Sequence, residues 1–228
     1  MSVQLQRHLK LINDKLKELS EMSTGAFINA MKAFKEIDQN LAADVRATSE
    51  IIEEKSQSIE DNVFETIARR QPVAKDLREL ATYLQVAHHL YRVGRYAYKI
   101  AHIVRLCEGM EHFKELISLP YLAEIAKQTI DIAMKGVLDK DLSHIDELEK
   151  LEAISDKETS DMFEEITDFL RKRNDITTMA MYYVIVGRYC ERAADHAFSI
   201  AERAVYMVKG KRVKLGLAYR GQSSRAPH

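Results

Sequence analysis

Glu191 and Asp195 stand four residues apart in the stretch Glu191-Arg192-Ala193-Ala194-Asp195-His196-Ala197-Phe198-Ser199-Ile200-Ala201-Glu202. On a helix that spacing projects both carboxylates from one face. Acids so placed repel each other unless cations screen them, and Arg188 and Arg192 lie close enough in sequence to do so. In a charged helix the ordinary reading of such a pair is a solvated ion-pair lattice. The flanks argue otherwise: Ala193, Ala194, Ala197, Phe198, Ile200 and Ala201 are small or apolar and suit close helix packing better than a free surface. A second supply of acid lies between Asp146 and Glu165, where nine carboxylates face two lysines and Glu152 and Asp156 repeat the four-residue spacing. Two such helices side by side would aim four carboxylates at one another, an arrangement that favours hard or borderline cations with oxygen ligands. Glu191, Asp195, Asp156 and Glu152 are therefore candidate ligands for a metal ion, with iron, zinc, manganese and magnesium all compatible.

A degenerate copy of the segment lies one hundred residues upstream. Aligned on Ile100-Ala101 against Ile200-Ala201, Arg92, Ala97 and Tyr98 match Arg192, Ala197 and Phe198. The carboxylates are replaced by Tyr91 and Arg95. Turn residues repeat as well, Asp38-Gln39-Asn40-Leu41 against Asp139-Lys140-Asp141-Leu142. His196 is about 100° around the helix from Asp195 and so flanks the acidic face, as a structural hydrogen-bonding group or a support to a ligand. His88 and His89 read as packing details. Gly94 and Gly187, each in Val-Gly-Arg-Tyr, mark close helix contact, although their offset of 93 does not follow the main repeat.

The elements that must position these groups are long helices. Only 8 Gly and 3 Pro interrupt 228 residues, and 30% are charged against 46% hydrophobic, the balance of helix rather than sheet. Leu5, Leu9, Ile12, Leu16 and Leu19 alternate steps of four and three, the seam of a helix lying along a partner. This first helix runs toward Asp38-Gln39-Asn40, which caps a second that ends near Ala68, before Gln71-Pro72. A third covers 75–107 and stops at Gly109; after Leu119-Pro120, three more follow over 121–138, 141–171 and 175–209. The expectation is an all-α fold of two tandem three-helix bundles, 1–109 and 110–214, with a flexible basic tail over 215–228.

Composition excludes some functions. A net charge of −1 provides no general attraction to nucleic acid or anionic membrane. Six Lys or Arg and no acid follow from Lys209 onward, which suits a solubilising or partner-contacting end better than a reader of bases. The start lacks an apolar signal core, and Ile176 to Gly187, the longest uncharged run, is short of the roughly 18 residues of a span; a cytoplasmic location is expected. Cys107 and Cys190 have no C-x-x-C partner and read as buried free thiols.

Two further blocks carry a resemblance. Gln71-Pro72-Val73-Ala74-Lys75-Asp76-Leu77-Arg78 opens the third helix, and Glu191 to Ala197 with Val205-Tyr206-Met207-Val208-Lys209-Gly210-Lys211-Arg212 closes the sixth. Over residues 1 to 214 the chain resembles the PhoU family of phosphate-uptake regulators. The resemblance implies the duplicated three-helix fold, a cytoplasmic dimer or larger oligomer, and metal clusters held by E(D)-x-x-x-D motifs. It also implies negative control of high-affinity phosphate uptake through the transporter ATPase or a sensor kinase, with membrane association only through those partners. In the first half Tyr91 and Arg95 stand where the family motif calls for carboxylates, and its helix-two counterpart is weak, Ser49 with Glu53 in place of two carboxylates, so metal is expected on the C-terminal bundle alone. There, gapless counting pairs Asp156 with Ser160, while a shift of one turn pairs Glu152 with Asp156.

No nucleophile constellation or phosphate-cradling glycine loop accompanies these features, which favours a regulatory adaptor over an enzyme. The alternatives are a di-iron carboxylate protein, which would use Glu-x-x-His motifs that this chain lacks, and a purely structural helical adaptor with a solvated acidic face.

Overall fold

Leu5, Leu9, Ile12, Leu16 and Leu19 are all buried, and the same stripe continues through Phe27, Met31 and Phe34. They belong to the first of six α-helices in a computed structural model that describes residues 3–216. The helices are α1 (Val3–Glu36), α2 (Gln39–Arg70), α3 (Ala74–Leu106), α4 (Ser118–Leu138), α5 (Leu148–Lys172) and α6 (Thr177–Lys209). A 3-10 turn, Ile145–Glu147, precedes α5, and no strand occurs among the described residues. None of the helices is long and apolar enough to cross a membrane.

The helix boundaries follow local chemistry. Asp38 caps α2, its Oδ1 accepting from the backbone N–H of Asn40 at 2.9 Å and of Leu41 at 3.0 Å. Gln71 ends α2 in the left-handed region at φ 46°, ahead of Pro72. Pro120 sits inside the first turn of α4 rather than before it, where its missing N–H has no intrahelical partner to lose. The fifth helix starts later than the expected residue 141. Asp141 Oδ1 accepts from the Ser143 N–H at 2.9 Å, a local bond that competes with helix, and Lys140 just before it has φ 59°.

Helices α1, α2 and α3 pack on one another, as do α4, α5 and α6; the two units meet where α3 lies on α6 and α1 on α4. A single buried apolar cluster runs through both. Polar bonds cross the junction too. Asn13 Nδ2 donates to the Leu138 carbonyl at 3.1 Å, and Lys140 Nζ donates at 2.9 Å to the buried Glu79, which also accepts from Tyr83 Oη at 2.7 Å. In the linker, His112 lies 2.9 Å from Tyr183 Oη on α6 and 3.0 Å from the Phe34 carbonyl on α1.

Cys107 and Cys190 are buried free thiols, pushed up by burial to about 11 and about 12, so neither is a thiolate near neutral pH. Gly210 closes α6 in the left-handed region at φ 69° and turns the chain back along it. There Leu215 N–H donates to Glu202 Oε1 at 3.0 Å, and Lys214 Nζ pairs with Glu202 Oε2 at 3.3 Å. From residue 217 on, the expected basic tail lies outside the described residues.

Candidate functional site

The apolar residues of α6 turn one face to α4 and another to α3, which leaves the acids along the edge next to α5. Glu191 and Asp195 of α6 and Glu152 and Asp156 of α5 all line one cavity of 120 Å³. Its walls are completed by Ile125 and Thr129 of α4 with Leu151, Ala194 and Phe198. The two registers differ in their relation to this cavity: Glu152 and Asp156 line it and Ser160 does not.

The electrostatics are those of crowded acids. Partial burial, then the charge of Glu191 and that of Asp156 hold the Asp195 carboxyl above its ordinary range, against the opposing pull of Arg188 and Arg192. Arg188 Nη1 donates to Glu191 Oε2 at 2.6 Å on the exposed face. Glu152 lies beside the returning C-terminal segment, where a Cβ on Gly216 would be 3.3 Å from its Oε1. The donor set suits a cation with oxygen ligands. Its arrangement is open: among the described residues no three His, Cys, Asp or Glu side chains stand together closely enough to hold an ion as they are placed.

The equivalent place between α2 and α3 is built differently. Ser49 Oγ donates to the Gly94 carbonyl at 3.1 Å, and the Arg95 guanidinium lies over the Tyr98 ring at 4.8 Å. Tyr91 is partly buried against the core. Both glycines do mark close contact. A Cβ at Gly94 would come within 2.8 Å of Ile52 on α2, and one at Gly187 within 2.7 Å of Met162 on α5. They hold the same place in the architecture although they miss the main repeat offset.

Two groupings at the α3–α6 junction escaped the sequence reading. His196 turns away from the acidic cavity, its Nδ1 2.9 Å from His89 Nδ1 and its Nε2 3.2 Å from Tyr96 Oη. Burial, with nearby positive charge adding to it, pushes both imidazoles down to about 4, so both are neutral at pH 7. The second grouping is cationic. Arg92 and Lys99 of α3 and Arg188 and Arg192 of α6 line a cleft of 540 Å³, floored by Tyr96 and Tyr189 and walled by Phe163 and Thr159 of α5 with Val184 and Ile185. The tyrosine rings stack at 5.7 Å. A signal was present in the sequence. Arg92 and Arg192 are matched residues of the two copies, and packing third helix on third helix brings them to one cleft.

Comparison with known proteins agrees with this architecture. The PhoU domain model matches twice, at residues 16–104 and 119–204. The phosphate-specific transport system accessory protein PhoU homolog 1 of Thermotoga maritima is 24% identical over 93% of this chain and 92% of its own. The PhoU homolog of Borreliella burgdorferi is 26% identical over 92% and 97% respectively. Among solved structures, PhoU from Pseudomonas aeruginosa superposes with a TM-score of 0.84 at 23% identity, over 90% of this chain and 99% of that one. The phosphate transport system regulatory protein PhoU from Streptococcus pneumoniae gives 0.82 at 18% identity, over 92% of this chain and 100% of that one. With the model matching both halves of a duplicated six-helix fold, the chain belongs to the PhoU family.

Proposed function

We propose that this protein is an accessory regulator of phosphate transport that restrains high-affinity uptake by contacting the transporter ATPase or a sensor kinase. One observation carries the reading: both domain matches and the end-to-end alignment to relatives named for the phosphate-specific transport system. The acidic cavity supports a metal-dependent form of that role. Glu152, Asp156, Glu191 and Asp195 would hold the ion, which would neutralise their mutual repulsion and tie α5 to α6. The working state is a cytoplasmic dimer or larger assembly that acts through its partners. Catalysis is no part of the reading.

Deleting the gene tests the role directly: phosphate accumulation in replete medium should rise, and unchanged uptake together with unchanged phosphate-regulon output would sink it. Pull-down from phosphate-replete cells should recover the ATPase or the kinase. The metal assignment has its own test, on protein reconstituted with iron, zinc, manganese or magnesium. Glu191→Ala with Asp195→Ala should lose bound metal, and Tyr91→Ala with Arg95→Ala should retain it. No metal in the wild type, or the reverse order, would leave the acids as a solvated surface.

A further inference from the structure

The cleft between α3, α5 and α6 carries a charge pattern that the acidic cavity does not use. Four cations line it, and its one carboxylate, Glu191, already accepts from Arg188. Arg92, Lys99 and Arg192 have no ion-pair partner among the described residues. Two of these cations are placed against ring faces. The Arg92 guanidinium lies 5.6 Å from the centre of Tyr96 and its Nη2 is 3.5 Å from that ring's hydroxyl; Lys99 Nζ lies 5.6 Å from the centre of Tyr189. Like charges gathered around one concavity repel, and a bound anion relieves that repulsion in a way that scattered surface lysines do not require.

The rest of the cleft says which anion. Beyond the cations its wall is apolar, with Phe163 43% and Ile185 36% exposed, open apolar surface beside concentrated positive charge. Ile185 and Arg192 are separated by about 10 Å along α6 at 1.5 Å per residue. A single phosphate ion would occupy one end of that length and leave the apolar end bare. The volume of 540 Å³ falls within the range of roughly 300–1,000 Å³ typical of small-molecule sites. We infer that this cleft binds a nucleoside di- or triphosphate, with its phosphates on Arg92 and Arg192 and its base against Phe163 and Ile185, at the end where Lys99 lies over Tyr189. The site lies across the junction of the two bundles, so the ligand would touch α3 of the first and α5 and α6 of the second. It goes beyond the proposed transport role and does not depend on it, since its test reads binding and not uptake.

Titration calorimetry on the full chain, stripped of metal over chelating resin so that no cation in the acidic cavity can bridge to the phosphates, should show ADP binding. ADP should bind at least about tenfold tighter than adenosine or inorganic phosphate. Arg92→Gln with Arg192→Gln should weaken ADP by about tenfold or more, and Phe163→Ala should weaken ADP while leaving tripolyphosphate unchanged. Arg171→Gln, outside the cleft, should bind ADP like the wild type. Circular dichroism and the melting temperature check each fold, and if the double variant fails to fold, the exposed Arg192→Gln alone carries the same expectation. Absence of ADP binding up to about 5 mM overturns the inference. Undiminished binding in the folded cation variants overturns it too, as does equal affinity for ADP and inorganic phosphate with no effect of Phe163→Ala.

Discussion

The seam between α2 and α3 and the seam between α5 and α6 descend from one pattern and hold together by different means. In the first, α2 buries five apolar residues, and its hydroxyls stitch it to the backbone of α3, Ser49 Oγ to the Gly94 carbonyl and Ser56 Oγ to the Ala87 carbonyl at 3.2 Å. In the second, α5 buries three, and its acidic face meets Glu191 and Asp195 around a cavity. Apolar burial is the main source of helix docking, so α5 is held less firmly than α2. Duplication kept the architecture while one seam became a sealed joint and the other a charged one that a cation could tighten.

The largest test of this contrast is a matched truncation. Ile52 of α2 is 0% exposed and Met162 of α5 is 1%, and each lies against the glycine of the third helix in its bundle. Truncation to alanine at such sites costs about 2–5 kcal/mol, the larger values where the surroundings cannot collapse. Ile52→Ala should therefore lose about 3–4 kcal/mol and Met162→Ala about 2 kcal/mol in urea unfolding, because α5 can settle into the gap. Equal losses would mean that α5 is packed as rigidly as α2.

The glycines give a smaller effect with opposite signs. Adding a Cβ gains about 1 kcal/mol of helix propensity in either place. At Gly94 the atom met is Ile52 Cγ2, on a stiff β-branched side chain with no room to move. At Gly187 it is the Met162 methyl, the free end of a flexible chain. Gly94→Ala should be net destabilising by about 1–2 kcal/mol, while Gly187→Ala should be neutral or stabilising by up to about 1 kcal/mol. Destabilisation by both in equal measure would remove the distinction between the seams.

A third comparison concerns the hydroxyls. Removing the buried Ser49 Oγ leaves the Gly94 carbonyl without that donor, and Ser49→Ala should cost about 1 kcal/mol. Ser155→Ala, at the edge of the acidic cavity, should stay within about 0.5 kcal/mol of wild type. Thermal or urea unfolding of both variants decides it.

These contrasts divide into what the chain declares locally and what only packing reveals. The α1 seam from Leu5 to Leu19 was legible because a repeating four-three spacing has one solution, a buried stripe. Asp38 was legible because a cap acts on its own next residues. The start of α5 was misplaced because charge and helix propensity extend to Asp141, whereas a single side-chain bond to Ser143 breaks the helix there. Spacing alone singled out the four acids, and that Glu152 rather than Ser160 lines the cavity with the others depends on how far α5 slides along α6. His89 with His196 was invisible as a pair, and Arg92 with Arg192 was visible as matched repeat positions but not as neighbours. Each meeting depends on which face of α3 lies on α6, a tertiary choice that no local pattern encodes.

The smallest stability change should be the most informative about the acidic seam. Arg188 and Glu191 form an ion pair with side chains 58% and 37% exposed, a setting in which such pairs contribute about 0.2–1 kcal/mol. Arg188→Gln should accordingly shift metal-free unfolding by no more than about 0.5 kcal/mol. It also frees Glu191 Oε2 from its hydrogen bond to Arg188 and removes a positive charge that opposes any cation entering between Glu191 and Asp195. The rise in melting temperature on adding manganese should therefore be larger in Arg188→Gln than in wild type, reflecting up to about fivefold tighter binding. Arg95→Gln removes the positive charge at the matched place in the first bundle, but Glu53 is the one carboxylate among the four matched positions there, so no manganese response should be gained. A gain in Arg95→Gln equal to that in Arg188→Gln would mean that general loss of positive charge governs cation binding, and the two seams would then differ in packing alone.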